Sequence, residues 1–540
     1  MSIRQVARAA AVVALFGILS RTLGFVREIV LAGVYGTTAQ TDAYVNTLFL
    51  VNTVAAVLLY VLTTLLIPVF QQERERSGTD SAWGLLWSIF AWVGIVLIAL
   101  TAFIAIWPEG PVALFDMGPE RSQIAADLLR VMAPALMLQG FSALFTAILQ
   151  VHGRFAGPAA VGVAFNTGIL IGVIAGAGTI GITAAAWGVT LGALLQVLFQ
   201  LPQFSREARN GGGHMSLRHP SLSPTLVLAI PVLAASVLQQ INSFTDKLFA
   251  SSLEAGRNAA LSFANALGSA PRTVLLFPLL MPLFPLIAGY VAKGKRNETA
   301  AAFHRAAGIL ALVAIPVTVF MAIGASEISQ VAFGRGKCDS ACVSEIASPL
   351  AFYGVAVWGN FIGYLLNRTL SAGNRAREVM IATIISVVVT IGLDLVFLQP
   401  MQQAGLALAS AIAVYLNTVI TLWFLRRNTP EISVRALALQ QGRVLVAALG
   451  GTVAALIPVF LMPSGDTFWS AVVWLAVVGA VGGVVFVALA RVLAPRELAD
   501  ARLSLRNLRG RRAQELAPPT AATPSPGPHP PERLRTGACR

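Results

Sequence analysis

Fourteen stretches of mostly apolar residues recur along this chain, each long enough for a membrane-crossing helix of about 20 residues. They cover 7–33, 42–70, 84–107, 123–149, 157–178, 182–204, 223–250, 259–291, 303–325, 343–367, 379–399, 403–425, 444–463 and 469–494. Little of the chain is left to form anything else. Only 11% of the residues are charged and the mean hydropathy is +0.75. Soluble domains carry about a quarter charged residues, so a soluble enzyme of this length is excluded. Glycine and proline are plentiful, at 47 and 28, but no short period organises them, which excludes a collagen-like chain. The first stretch holds Arg21 and Arg27 and lacks a small-residue cleavage site, so it reads as a helix rather than a removed leader. The expected fold is an all-α polytopic membrane protein.

The net charge is +14, from 38 Lys and Arg against 24 Asp and Glu. With the N terminus cytoplasmic, 29 of the 38 cations fall in cytoplasmic loops and termini and four in outside loops (Arg121, Arg257, Arg335 and Lys337). That asymmetry is what the positive-inside rule requires, and it predicts that both termini are cytoplasmic. The basic excess is then topology signal and attraction to anionic lipid, not nucleic-acid binding. After a basic run, 502–512, the tail turns proline-rich and reads as disordered.

Two pairs of segments share one offset. VALFDMG (112–118) and QVAFGRG (330–336) lie 218 residues apart, and AAAWGVTLGALLQ (184–196) and GLALASAIAVYLN (405–417) lie 221 apart. The offset predicts two six-helix bundles related by a parallel repeat, over 1–214 and 215–430. Two additional helices follow within 440–495, then the tail, 496–540. Duplicated bundles around a central cavity are a transporter architecture, although small-residue patterns also recur wherever membrane helices pack closely.

Ionisable groups at membrane depth are costly and usually face a cavity. Here they are Arg21, Arg27 and Glu28 in span 1, Asp42 opening span 2, Asp246 and Lys247 in span 7, Arg272 in span 8 and Asp394 in span 11. Several arginines facing one cavity suit an anionic, phosphate-bearing ligand, because guanidinium binds phosphate bidentately and stays charged. The alternative for Arg21 and Arg27 is an interhelical ion pair with Asp42 or Glu28. Cys338 and Cys342 fall in one outside loop, free to form a local disulfide or to remain thiols; no His accompanies them as a metal site needs. There is no G-x-x-x-x-G-K-[ST] loop for ATP. The outside loops are too short for a glycosyltransferase or polymerase site, and paired arginines argue against a drug/cation antiporter. A scaffold without transport would tolerate loss of Arg21.

The stretches SRTLGFVREIVLAGVYGTTAQTDAY (20–44), LIPVF (66–70), LQVHGRFAGPA (149–159), AWGVTLGALLQVLFQLP (186–202), FGRG (333–336) and GLALASAIAVYLN (405–417) resemble the MurJ (MviN) lipid II flippases of the multidrug/oligosaccharidyl-lipid/polysaccharide exporter superfamily. The resemblance runs over roughly 1–495. It implies a bacterial inner-membrane flippase, not an enzyme, that moves an undecaprenyl-pyrophosphate-linked peptidoglycan precursor outward, with membrane lipid and cell-wall synthesis proteins as further partners. It implies that Arg21, Arg27 and Asp42 line the cavity, the arginines engaging pyrophosphate. Two further family arginines are replaced here by Ala55 and Ala266, so Lys247 and Arg272 join the expected substrate-binding set and a related carrier-linked glycan stays open as substrate. The resemblance also implies a sodium site at Asp246, Thr390, Asp394 and Ser410, and a lipid-tail groove on the last two spans. For Asp246 the alternative is a simple pair with Lys247.

Overall fold

A computed structural model describes residues 3–212, 217–280, 283–460 and 467–503. The proline-rich tail and Cys539 lie outside the described residues, which are helical with no strand among them. In chain order the helices are α1 (Ile3–Tyr35), α2 (Ala39–Ile106), α3 (Glu109–Val112), α4 (Gly118–Val151), α5 (Ala156–Ile180), α6 (Thr183–Gly211), α7 (Leu222–Ser251) and α8 (Arg257–Pro271). A π-helical turn, Arg272–Leu276, leads into α9 (Phe277–Leu280) and α10 (Phe284–Ala292). Then come α11 (Arg296–Ile323), α12 (Ala325–Phe333), α13 (Ser340–Ala372), α14 (Ala376–Asn428), α15 (Val434–Phe460) and α16 (Phe468–Leu493).

Among the described residues nine helices are long and apolar enough to cross a membrane, or ten with α7, which bends by 41° between Leu238 and Gln240. Two of the nine are folded back on themselves. At 68 residues α2 would run about 100 Å as a straight rod, far beyond the ~30 Å of a bilayer core. Gly78 breaks it with a φ of 87°, a conformation that glycine adopts without steric cost. The 53-residue α14 is broken in the same way at Gln402, φ 50°. With α2 and α14 each crossing twice, and with α1 and the interrupted run α8–α10 crossing once each, the helices are compatible with fourteen crossings. Span 8 is thus not the single helix that its apolar run suggests. Pro271 ends α8, and the backbone widens into the π-helical turn.

Helices α1, α2, α4, α5 and α6 pack mainly on one another, and so do α8, α11, α13 and α14. α7 lies between the groups, on α2 and α14, while α15 packs on α16 and α11. Without a hydrophobic drive between helices in lipid, close backbone approach supplies the attraction. At the α5–α6 crossing, Gly168 faces Gly192 and Gly172 faces Gly188; a β-carbon on Gly172 would stand 2.5 Å from the Gly188 Cα. Nearby, Phe145 of α4 and Phe204 of α6 stack with ring centroids 4.2 Å apart.

Candidate functional site

A polar cavity of about 460 Å³ lies among α7, α8, α13 and α14. Its wall includes Asp246, Lys247, Arg272 and Ser410, four of the residues expected from sequence, and among the described residues α2 contributes Phe49. Lys247 donates to Asn258 Oδ1 at 2.8 Å and to Ser262 Oγ at 2.9 Å. Asn258 in turn donates to Asn46 Oδ1 at 2.7 Å, which carries the network from α8 into α2. Lys247 therefore ties helices together, within electrostatic reach of Asp42, Glu28 and Asp246. Arg272, on the π-helical turn, is exposed to the cavity, and among the described residues no carboxylate pairs with it. Its guanidinium is available to an anion.

Arg21 and Arg27 are not in this wall. Arg27 lies between α1 and α5: it pairs with the neighbouring Glu28 and donates to Asn166 Oδ1 at 3.0 Å. Its Nε is buried with no hydrogen-bond partner among the described residues. Arg21 is exposed, one and a half turns earlier on the same helix. The interhelical partner weighed for Arg27 is present only in part, because Glu28 sits on α1 itself.

Asp42 departs furthest from expectation. It is fully buried, and Arg27 pairs with Glu28 instead. Its carboxylate accepts from the backbone N–H groups of Gly256 and Ala259, both at 2.7 Å. Arg121 completes the arrangement, 3.3 Å from Asp42 Oδ2 and 2.9 Å from the Leu253 carbonyl. Asp42 thus caps α8 from another helix, where free N–H groups and the helix dipole favour an anion. In this structure its contacts join α2 to α8 rather than reaching the arginines of α1. Sequence reasoning counted Arg121 only as a loop charge and missed this part.

The same end of the molecule is closed by main chain. The Lys337 N–H donates to the Gly33 carbonyl at 2.8 Å, and Gly336, at φ 64°, lies directly against Gly33. Gly36 faces the Lys337 carbonyl, and a β-carbon on Gly256 would come within 2.5 Å of the Thr37 carbonyl. The loop supplying Gly336 and Lys337 is fastened by a disulfide between Cys338 and Cys342. Arg335 of that loop stacks on Phe468 of α16, 5.7 Å from the ring centroid.

The residues expected to hold sodium divide between two places. Asp246 and Ser410 are in the cavity wall, whereas Thr390 and Asp394 are buried on α14 outside it. The Thr390 hydroxyl donates to the Ser386 carbonyl at 2.8 Å. Asp394 Oδ2 is buried with no hydrogen-bond partner among the described residues, and Asp394 lies within electrostatic reach of Asp246. An orphaned carboxylate oxygen of this kind fits a hard cation, which prefers oxygen donors. Among the described residues no three His, Cys, Asp or Glu gather as a metal cluster.

Away from the membrane-spanning segments, Glu73 forms a second polar centre. Ser81 donates to its Oε1 at 2.6 Å and Ser221 to its Oε2 at 2.7 Å. These bonds, led by that of Ser81, hold its carboxyl below the usual carboxylate range. They fix the start of α7 to the elbow of α2.

Two helix groups joined at one end, with a polar cavity among apolar helices long enough to cross a membrane, define a multi-pass membrane protein of the transporter class. Residues 31–475 match the family model described as lipid II flippase MurJ, and the chain belongs to that family. A probable lipid II flippase MurJ of Rhizobium tropici is 27% identical over 455 residues, covering 80% of this chain and 84% of its own. The lipid II flippase MurJ of Burkholderia cenocepacia is 24% identical, covering 78% and 84%. Among solved structures, a lipid II flippase MurJ in an inward closed conformation superposes with a TM-score of 0.75 at 18% identity, over 89% of this chain and 98% of that one. An inward-facing multidrug transporter of the MATE family superposes with a TM-score of 0.63 at 14% identity, over 78% and 98%. At such identities the superpositions establish the shared fold.

Proposed function

We propose that this chain is a flippase, not an enzyme, moving undecaprenyl-pyrophosphate-linked peptidoglycan precursor (lipid II) from the inner to the outer leaflet of the bacterial cytoplasmic membrane by alternating access. The observation that carries the reading is the closure at Asp42 and Gly33 beside a polar cavity that holds Arg272, with which no carboxylate pairs among the described residues. Polar groups at membrane depth are retained where a polar cargo passes. The charge asymmetry supports cytoplasmic termini, which puts the closed end on the outside and turns the cavity inward.

In this reading the bundles are 1–214 and 215–430, and they rock about the cavity. Arg21, Arg27 and Arg272 attract the pyrophosphate, and the partnerless Nε of Arg27 supports its part. Lys247 and Asp42 couple the halves. Sodium held by Asp246 and Asp394, with Thr390 and Ser410 as further oxygen donors, biases the cycle. Helices α15 and α16, the last two spans, shelter the polyprenyl tail, and cell-wall synthesis proteins receive the product. Ala55 and Ala266, which stand where two family arginines are expected, favour one second reading: a different polyprenyl-linked oligosaccharide as cargo.

The test is rescue of a bacterium depleted of its own MurJ. The wild-type chain restores growth, and Arg27→Ala and Asp42→Ala do not. A well-expressed wild-type chain that fails to rescue would overturn lipid II as the cargo. Sodium is tested by binding of lipid to Asp394→Asn with and without the ion, and a parent protein indifferent to sodium removes that part of the reading.

A further inference from the structure

The cavity offers more than charge. Three asparagines reach its wall from three helices: Asn242 on α7, Asn265 on α8 and Asn360 on α13. Among the described residues, Asn242 and Asn265 have no hydrogen-bond partner, and both are exposed to the cavity. Asn360 uses its Nδ2 on the Ala356 carbonyl, one turn back at 3.0 Å, which leaves its Oδ1 available. Ser243 and Ser410 add hydroxyls, and Phe49 and Tyr353 add aromatic surface.

This wall suits a neutral hydrogen-bonding group better than a phosphate. A side-chain amide offers donors and an acceptor together. That combination matches sugar hydroxyls and acetamido groups, whereas a phosphate, which only accepts, finds no use for the acceptor. Asp246, in the same wall, accepts from hydroxyls but repels phosphate. Lys247 is already committed to Asn258 and Ser262. Arg272 is thus the cation of the wall that remains available among the described residues. The cavity, about 460 Å³, is of the size of small-ligand sites, roughly 300–1,000 Å³. It takes part of a glycan head group, not the whole.

We propose that this cavity is a subsite for the neutral sugar portion of the lipid-linked head group, with Asn242, Asn265 and Asn360 as its specificity-determining residues and Arg272 holding the adjoining anionic group. The inference rests on the flippase reading. It assigns discrimination between carrier-linked glycans to uncharged side chains of α7, α8 and α13, apart from the arginines of α1.

The experiment measures binding of two probes to the purified full-length chain in detergent: lipid II and sugar-free undecaprenyl pyrophosphate. In Asn265→Ala and Asn360→Ala the affinity for lipid II falls about tenfold, as loss of a buried hydrogen bond predicts, while that for undecaprenyl pyrophosphate stays within about twofold. Arg272→Gln weakens both. Thermal unfolding verifies that each variant is folded, and Asn→Leu, close in volume, replaces an alanine variant that is not. Equal losses for both probes, or no loss, would overturn the sugar subsite and leave the flippase reading standing. A wild-type chain that binds neither probe would overturn both.

Discussion

The Asp42 carboxylate accepts the backbone N–H of Ala259 at 2.7 Å, joining the first turn of α2 to the first turn of α8. Together with the bonds from Gly256 and Arg121, this fastens one helix group to the other. Bonds to a buried charge contribute about 1.5–3 kcal/mol each. In Asp42→Ala the closed end therefore opens more often. The measurement is labelling of a Thr37→Cys reporter with a membrane-impermeant thiol reagent added outside, and at least about a tenfold faster reaction is expected. Unchanged labelling would show that the closure does not depend on Asp42.

The disulfide is checked by counting reactive thiols. The chain has three cysteines, of which Cys338 and Cys342 are joined. Unreduced, denatured protein takes up one alkylating group, at Cys539, and reduced protein takes up three. By chain-entropy arguments, so short a loop contributes about 2 kcal/mol. Cys338→Ser with Cys342→Ser therefore unfolds at a lower temperature than the oxidised parent, and reductant brings the parent to the same midpoint.

Glu73 confers a pH dependence with a definite sign. Its carboxyl is held below the ordinary glutamate value, about 4.3. A group depressed in the folded state adds stability that is fully present above the unfolded value and disappears as pH falls through the folded one. The unfolding midpoint of the parent therefore falls below about pH 4.3, and its advantage over Glu73→Gln, clear at neutral pH, shrinks over the same interval. A constant difference between the two from neutral to acid pH would contradict the hydrogen-bonded carboxylate.

Gly172 tests the close packing of α5 on α6. A β-carbon there stands 2.5 Å from the Gly188 Cα. Gly172→Val must push the helices apart, at about 1–3 kcal/mol or more. Thermal unfolding in detergent measures the loss, and Gly178→Val, where a β-carbon meets nothing within 4 Å, is the matched control.

Much of this was legible in the sequence because lipid leaves few choices. Apolar length predicts helices, and the helical architecture follows. The breaks at Gly78 and Gln402 are less visible, since Gln402 carries no signal that it adopts a positive φ. Asp246, Lys247 and Arg272 were found as charges out of place in an apolar run and Ser410 through the family resemblance, and the cavity gathers the four. Asp42 was found as a residue, but its contacts were not, because its partners lie 79 and more than 200 residues away. Arg121 looked like an ordinary loop charge for the same reason. Asn242, Asn265 and Asn360 were passed over because charge drew attention first; three amides within predicted spans 7, 8 and 10 were the available signal.

The bond from Lys337 to the Gly33 carbonyl is made by main chain on both sides. Such a junction carries no net charge, so it opens and closes without a proton or counter-ion taking part. It is also indifferent to most substitutions, because neither partner contributes a side chain to it. Its one requirement is bareness: a β-carbon at position 336 would stand 2.1 Å from the Gly33 carbonyl oxygen and wedge the two halves apart. The freedom of this chain to vary is therefore narrowest where it has the least to show.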